Sequence, residues 1–278
     1  SLDTGLVPLG NMEAVQFHPT GIVPTDILVT EGCRGDGGLL LDVDEYRFMP
    51  DYEPEKQELA SRDVVSRRMT EHIAKGKGVP SPDGEHLWLD LRHLGEQHLR
   101  TKLREVYDIC MYFLGVNPIK ELVPVRPTQH YSMGGIRVNK DGHVYGLEGL
   151  WSVGESACWD MHGMNRLGGN SLAETVVAGK ICGQRMGQWA SQQSLALDTK
   201  MVTEAVGEQQ NRIDALIGDG LGEANENVDA LHDVMRETLQ AKVGIFRRGD
   251  ELAEAVDGLR ECYQRVQNLK LRSSTKGA

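Results

Sequence analysis

The stretch His162-Gly-Met-Asn-Arg-Leu-Gly-Gly-Asn-Ser-Leu-Ala-Glu174 constrains this chain more than any other, because it sets one arginine inside a glycine-rich turn that opens a helix. Gly163, Gly168 and Gly169 can take positive φ and let a ligand approach the backbone, and Asn170 or Ser171 can cap a helix continued by Leu172, Val176, Val177 and Ile181. Free N–H groups and the helix dipole favour negative charge there, so a phosphate, a carboxylate or an electron-rich flavin edge suits the turn. Arg166 adds a planar fork matched to a carboxylate. The plain alternative is a loop-to-helix junction carrying a surface arginine.

The glycines point the same way. The chain has 32 among 278 residues, and they gather in 32–38, 134–135, 142–154 and 163–169, as expected where backbone lies close to a cofactor. A length of 278 suggests about two domains. Hydrophobic content of 40% argues against disorder, and no apolar run approaches the ~18 residues of a membrane helix. A net charge of −11 excludes a broad basic face for nucleic acid. The five cysteines at 33, 110, 158, 182 and 262 form no CxxC pair, which predicts neither a disulfide framework nor a zinc site and favours a reducing compartment.

Along the chain, Ala14–Phe17 reads as a short strand ending in a turn at His18-Pro-Thr-Gly21, and Ile27–Thr30 as a buried strand. Leu39–Asp42 and Leu87–Asp90 are extended. Arg62–Ala74 has helical spacing with Ser61 as N-cap, and Glu96–Leu114 predicts a longer helix broken near Ile109. Gly149–Glu155 reads as an apolar strand ending in Gly-Glu, a place where a sheet edge presents a ligand contact. Beyond about 191 the pattern turns helical, and Leu252, Val256, Leu259, Tyr263 and Val266 predict one apolar stripe. The plan is therefore mixed α/β to about 190 followed by an α-helical segment.

His18, Thr30, Glu31, Arg34, Arg62, His130 and Arg166 fall in or beside turns rich in glycine or proline, where a scaffold exposes reactive groups. Taken singly, each has a structural reading. His18 can be a satisfied histidine after a strand, Arg62 a helix-terminal partner of Asp63 or Glu58, and Glu31 with Arg34 a local ion pair. Together, three arginines and two histidines suit a small doubly negative substrate. Hydrolase readings fail: there is no GxSxG, and Cys33 has no evident base. No HExxH or carboxylate run indicates a metal.

In order and spacing, Gln16-Phe-His-Pro-Thr-Gly21, Thr30-Glu-Gly-Cys-Arg-Gly-Asp-Gly-Gly38, Ser61-Arg-Asp-Val-Val-Ser-Arg67, Arg126-Pro-Thr-Gln-His-Tyr-Ser-Met-Gly-Gly135, Val153-Gly-Glu155 and His162–Glu174 resemble the flavoprotein subunits of fumarate reductase and succinate dehydrogenase. The match covers nearly all of 1–190 and continues more loosely beyond. It implies FAD as cofactor and interconversion of fumarate and succinate, with hydride exchanged with the flavin and a proton moved by an arginine. Electrons would be exchanged with an iron–sulfur subunit and quinone, and membrane-anchor subunits would hold the complex at the cytoplasmic face of the inner membrane.

By motif, His18, Thr30, Glu31, His130 and Arg166 are similar to the residues that hold the substrate carboxylates, with Thr30 and Glu31 pressing one carboxylate out of plane. Arg62 is similar to the proton donor, with Glu31 and Arg34 as a relay towards solvent. An arginine, ordinarily protonated up to pH ~12, can serve so only if the relay reprotonates it at once. The same resemblance assigns His130, Tyr131, Glu155, Arg166, Asn170, Ser171 and Leu172 to the flavin.

The implied fold is the second part of a glutathione-reductase-like FAD-binding domain with an inserted α+β capping domain, then a partial helical domain. The expected bounds are 1–13 for the end of the first FAD-domain segment, 14–128 for the capping domain, 129–190 for the second FAD-domain segment and 191–278 for the truncated helical domain. The chain contains no GxGxxG turn for a dinucleotide pyrophosphate, so it reads as an internal piece of a subunit about twice as long. Two alternatives remain at this point: an L-aspartate-oxidase-like flavoenzyme, and a fragment that holds no FAD and is noncatalytic by itself.

Overall fold

The computed structural model describes residues 5–194, 198–217, 226–266 and 269. The chain divides into two units, residues 1–192 and 193–278.

The first unit is built on a four-stranded antiparallel sheet in the order β2-β5-β4-β3, formed by β2 (Val15–Ile22), β5 (Val123–Ser132), β4 (Leu87–Asp90) and β3 (Leu39–Leu41). In β4 the apolar Leu87 and Leu89 are buried while Trp88 and Asp90 are half-buried, the period-two alternation of a sheet with one face in the core. Helix α1 (Arg62–His72) covers that face. Its buried Val65, Met69 and His72 recur at the spacing of one helical side and pack with Ile22, Phe48, Leu87 and Val125.

A second, three-stranded sheet joins distant segments: β1 (Leu9–Gly10) pairs antiparallel with β6 (Gly135–Arg137), which pairs parallel with β7 (Ala157–Cys158). Helix α4 (Asn170–Ala190) follows. The residues between β1 and β6 therefore form an excursion from this small sheet that returns to it.

Several sequence expectations change. His18-Pro-Thr-Gly21 is not a turn but the continuation of β2, with one register shift before it, between Gln16 and Phe17, and one within it, between His18 and Gly21. A bulge explains Pro19, which has no N–H to give the ladder. Close packing explains Gly21, because a Cβ there would lie 2.2 Å from Thr128 Oγ1 on β5. Ile27–Thr30 is not a strand. It meets β2 through a Leu28–Gly21 bridge, the Ile22 N–H to Ile27 oxygen bond and the Val29 N–H to Thr20 oxygen bond, then enters a helical turn at Gly32–Gly35.

The Glu96–Leu114 segment splits into α2 (Glu96–Thr101), α3 (Arg104–Ile109) and a π-turn at Cys110–Leu114, so it breaks at 102–103 as well as near Ile109. Gly149–Glu155 is not a strand either; Gly154–Ser156 is a 3₁₀ turn, with the strand β7 just beyond. Ser61 precedes α1 as expected but donates its hydroxyl to Asp63 rather than capping the backbone.

In the second unit, α5 (Thr199–Ile217), α6 (Val228–Lys242) and α7 (Gly249–Val266) are the described helices, and α6 packs on α7. Asn227 caps α6, accepting from the Asp229 and Ala230 N–H groups. The α7 stripe is rotated from the expected one. Ala255 and Cys262 are buried and Leu252 and Leu259 half-buried, whereas Val256, Tyr263 and Val266 are exposed. Small residues let the neighbouring helix approach, so Ala255 and Cys262 face inward although larger apolar residues stand one position on. All five cysteines are buried and unpaired. No helix among the described residues is long and apolar enough to cross a membrane.

Gly135 lies against backbone in the small sheet, since a Cβ there would lie 2.5 Å from the Ser156 carbonyl oxygen. Backbone cannot yield as a flexible side chain can. Gly135→Ala is expected to lower stability by about 1–3 kcal/mol, read as a lower urea midpoint with an unchanged slope; an unchanged midpoint would contradict this packing.

Candidate functional site

The bulge in β2, the loop at 28–31, the start of α1, the end of β5 and helix α3 enclose a cavity of about 180 Å³. His18, Thr30, Glu31, Arg62 and His130 supply its polar wall. Leu28, Val29, Val106 and Ile109 supply the apolar part, and Glu105 stands with them. The volume suits a molecule of a few carbon atoms. Every polar residue here except Glu105 is among those selected from sequence; α3 was missed because its residues carry no motif.

His18 is buried and neutral. The Thr20 N–H donates to His18 Nδ1 at 3.2 Å, while the Thr20 hydroxyl donates to the Val29 oxygen, so the ring proton of His18 sits on Nε2. Burial pushes its pKa down from 6.5 to about 2, helped by the positive charges of Arg62 and Arg34. His130 lies edge-on to it, with ring centroids 5.4 Å apart. Arg166 Nη2 donates to His130 Nε2 at 2.9 Å, which leaves the His130 proton on Nδ1. Burial, Arg62 and Arg166 hold the His130 pKa down as well. Both rings are therefore neutral donors beside fixed cations.

Arg62 donates from Nε to Glu31 Oε2 at 2.6 Å and from Nη1 to Gln16 Oε1 at 3.3 Å. Arg34 Nη2 is 3.9 Å from the same Glu31 oxygen. Its Nη1 donates to the Glu58 carbonyl, and its Nε and Nη2 are buried without a hydrogen-bond partner. The Arg34 side chain is 0% exposed and that of Glu31 43% exposed, so the expected order of the relay is reversed at its outer end. Glu31 reaches solvent, and Arg34 backs it from the interior. Desolvation lowers the pKa of Arg34, Glu31 opposes that shift, and Arg62 adds to it.

Gln16 is a site residue that sequence selection passed over. Its Oε1 holds Arg62, while its Nε2 donates to Asn165 Oδ1 at 2.8 Å and to the Arg166 carbonyl at 2.5 Å, tying the Arg62 side of the cavity to the glycine-rich turn. The available signal was period two: Gln16 and His18 share a face of one strand.

Thr30 lines the cavity but is exposed, and its hydroxyl accepts from the Gly32 N–H. Tyr131, Glu155, Asn170, Ser171 and Leu172 do not line it. Tyr131 lies beneath Arg166, whose guanidinium carbon is 4.6 Å from the ring centroid. One Glu155 oxygen accepts from the Ser132 N–H at 3.0 Å.

The expected Asn170 or Ser171 cap is replaced. Gly169, at φ 78°, is the N-cap, and no side chain caps α4. The Asn170 N–H donates to the Leu167 oxygen, and a left-handed N-cap with no side chain leaves the following first-turn N–H groups without a side-chain cap. Leu172 and Val176 on the same helix are 75% and 70% exposed, an apolar surface beside those donors. Arg166 Nε is buried without a partner. Open N–H groups, a polar orphan and apolar surface together fit the pyrimidine edge and flat face of a flavin. On Gly168 a Cβ would stand 3.6 Å from Arg62 Nη2, so the bare turn leaves that arginine reachable from the α4 side.

The sequence family described as "FAD binding domain" matches residues 2–172, and "Fumarate reductase flavoprotein C-term" matches 232–278. The fumarate reductase flavoprotein subunit of Helicobacter pylori strain 26695 is 46% identical over 300 residues, covering 98% of this chain and 42% of that protein. That of Escherichia coli K12 is 36% identical, covering 97% and 46%. A chain of E. coli quinol fumarate reductase superposes with a TM-score of 0.88 at 35% identity, covering 97% of this chain and 47% of its own. The chain thus spans a little under half the length of these relatives.

His18 yields a pH prediction. Its folded pKa is depressed to about 2, so its proton is taken up on unfolding, and the stability it contributes is present above ~6.5 and lost as pH falls towards ~2. Between pH 6 and 4 the wild-type chain is expected to lose up to about 1.4 kcal/mol per pH unit more than His18→Gln in denaturant titrations. Parallel pH profiles for the two would show that His18 is protonated when folded.

Proposed function

The chain belongs to the FAD-binding flavoprotein family that includes the fumarate reductase and succinate dehydrogenase flavoprotein subunits, and from that premise we propose that its cavity binds fumarate and succinate and moves the proton in their interconversion. FAD is the family's cofactor, and when bound it supplies the hydride chemistry. The observation that carries the reading is the convergence of His18, His130 and Arg62 on one small cavity, with Arg166 outside its lining and donating to His130.

In this reading Arg166, His18 and His130 hold the two substrate carboxylates. The histidines donate as neutral imidazoles, so they orient a carboxylate without competing for the transferred proton. Arg166 presents a guanidinium with no carboxylate of its own. Thr30 and Glu31 crowd one carboxylate, and twisting it out of the plane of the double bond makes the adjacent carbon more electrophilic.

Arg62 delivers the proton. Glu31, 2.6 Å away and partly exposed, returns one from solvent, while Gln16 aims the guanidinium and Arg34 stands 3.9 Å from the same Glu31 oxygen. The apolar wall of Val29, Val106 and Ile109 excludes water and strengthens these interactions.

The flavin would lie against the Gly168–Gly169 turn, held by His130, Tyr131, Arg166, Glu155 and the N-terminus of α4 at Asn170, Ser171 and Leu172. Residues 14–128 form the capping domain, 1–13 and 129–190 contribute to the FAD domain, and 191–278 to the helical domain. The small sheet supports this division, since β1 meets β6 and β7 across the excursion that carries most of the cavity. Iron–sulfur and membrane-anchor partners, exchange with quinone and a peripheral place at the cytoplasmic face of the membrane complete the proposal.

The test uses the full-length protein with bound FAD, reducing fumarate with a reduced viologen dye. Arg62→Ala is expected to lower turnover by about 10²–10⁴-fold with flavin content unchanged. Turnover at the wild-type level in that variant would remove Arg62 from the reaction.

A further inference from the structure

Glu174 is a buried carboxylate that none of these roles uses. Its side chain is 2% exposed on α4, and its Oε2 accepts from His162 Nε2 at 2.8 Å and from the Tyr131 hydroxyl at 3.2 Å. His162 stands edge-on to the Tyr131 ring, with centroids 5.7 Å apart. A buried carboxylate is costly unless hydrogen bonds and nearby positive charge compensate it. The two donors satisfy the hydrogen bonding, and the nearby cation is Arg166, on the ring of Tyr131.

Arg166 has the converse problem. It is buried, and desolvation together with Arg62 lowers its pKa, yet no carboxylate pairs with it. Its contacts are His130 Nε2, the Leu167 oxygen and the face of Tyr131, and its Nε is left over. A direct ion pair would stabilise Arg166 but would occupy the fork that a substrate carboxylate needs. An aromatic ring between the two charges avoids that conflict. A phenol that donates to a carboxylate gains electron density in its ring, which strengthens the attraction of the ring face for a guanidinium. The raised pKa of Tyr131, to about 12 through burial and Glu174, keeps the phenol a donor.

We infer that Glu174, fixed by His162, is a positioning residue that acts through the Tyr131 ring to hold Arg166 in place for a dicarboxylate without occupying its fork. The inference rests on the reading of Arg166 as a ligand of that dicarboxylate.

The experiment titrates malonate, an unreactive dicarboxylate, into the full-length flavin-loaded protein and follows flavin absorbance, with KM and kcat for fumarate measured alongside. Glu174→Gln keeps size and hydrogen bonding while removing the charge, and Tyr131→Phe keeps the ring while removing the hydroxyl. Each is expected to weaken malonate binding about three- to tenfold and to raise KM more than it lowers kcat. Because both act along one route, the double variant should bind malonate no more weakly than the poorer single one.

Unchanged affinity in both single variants, or losses that multiply in the double, would overturn the inference. A role confined to folding would lower thermal stability and leave malonate affinity alone, which also overturns it. If Glu174→Gln retains no flavin, Tyr131→Phe decides by the same affinity criterion. Arg166→Gln separates the two levels: wild-type malonate binding there overturns the substrate reading itself, whereas lost binding there with normal Glu174→Gln and Tyr131→Phe overturns only the route through Tyr131.

Discussion

An excess of buried positive charge is the constraint around which this site is organised. Arg34, Arg62 and Arg166 lie near one cavity, and among the groups that touch them Glu31 is the carboxylate that pairs with Arg62 and approaches Arg34. The cost is visible in the neighbours. Arg62 lowers the pKa of His18, His130, Arg34 and Arg166, in each case together with desolvation. Both histidines respond by remaining neutral, which limits the repulsion and fixes their tautomers. On the proposed reading, a doubly negative ligand in the cavity would relieve the charge that the protein leaves uncompensated.

Such an arrangement needs a scaffold that cannot relax away from it. The β2–β5 pairing places His18 and Gln16 on one strand and His130 on its neighbour, and α1, packed through Val65 and Met69, sets Arg62 above them. The bulge at His18–Gly21 turns His18 inward, where Thr20 closes on its Nδ1. Gly21 permits the approach of Thr128 that keeps the two strands together at that point. Gln16 then links the scaffold to the Arg166 turn, so the groups on either side of the cavity are held in mutual register by buried amide bonds instead of by long ion pairs.

Much of this was legible in the residues, and the exceptions have identifiable causes. Leu39–Leu41 and Leu87–Asp90 were readable as strands because their side chains alternate or run apolar between turn residues. His18-Pro-Thr-Gly21 misled because proline and glycine usually mark a turn, whereas here a bulge and a close strand crossing use the same residues. The α4 cap misled in the opposite way: Asn170 and Ser171 are good capping residues, but Gly169 in the left-handed region takes the position and leaves the helix end bare. On α7 the size of the side chains, not their hydrophobicity alone, chose which line faces inward. Of the candidate residues, His18, Thr30, Glu31, Arg62 and His130 come together at the cavity, while the contacts of Gln16 with Arg62 and of Glu174 with His162 and Tyr131 join residues whose pairing no spacing announces.

The two central arginines differ in how they are held, and the difference follows from what each can do. Arg62 is gripped by a partly exposed carboxylate, a contact that can exchange a proton and recover it from water. Arg166 rests on an aromatic face and a neutral imidazole, contacts that fix a cation while offering it no base. A guanidinium that must bind an anion is best left without a competing carboxylate, and one that must pass a proton is best kept beside one. In the proposed reading the same residue type thus acquires two chemistries from its supports: reversing them would leave the proposed proton donor with nothing to recharge it and the proposed binding group already filled.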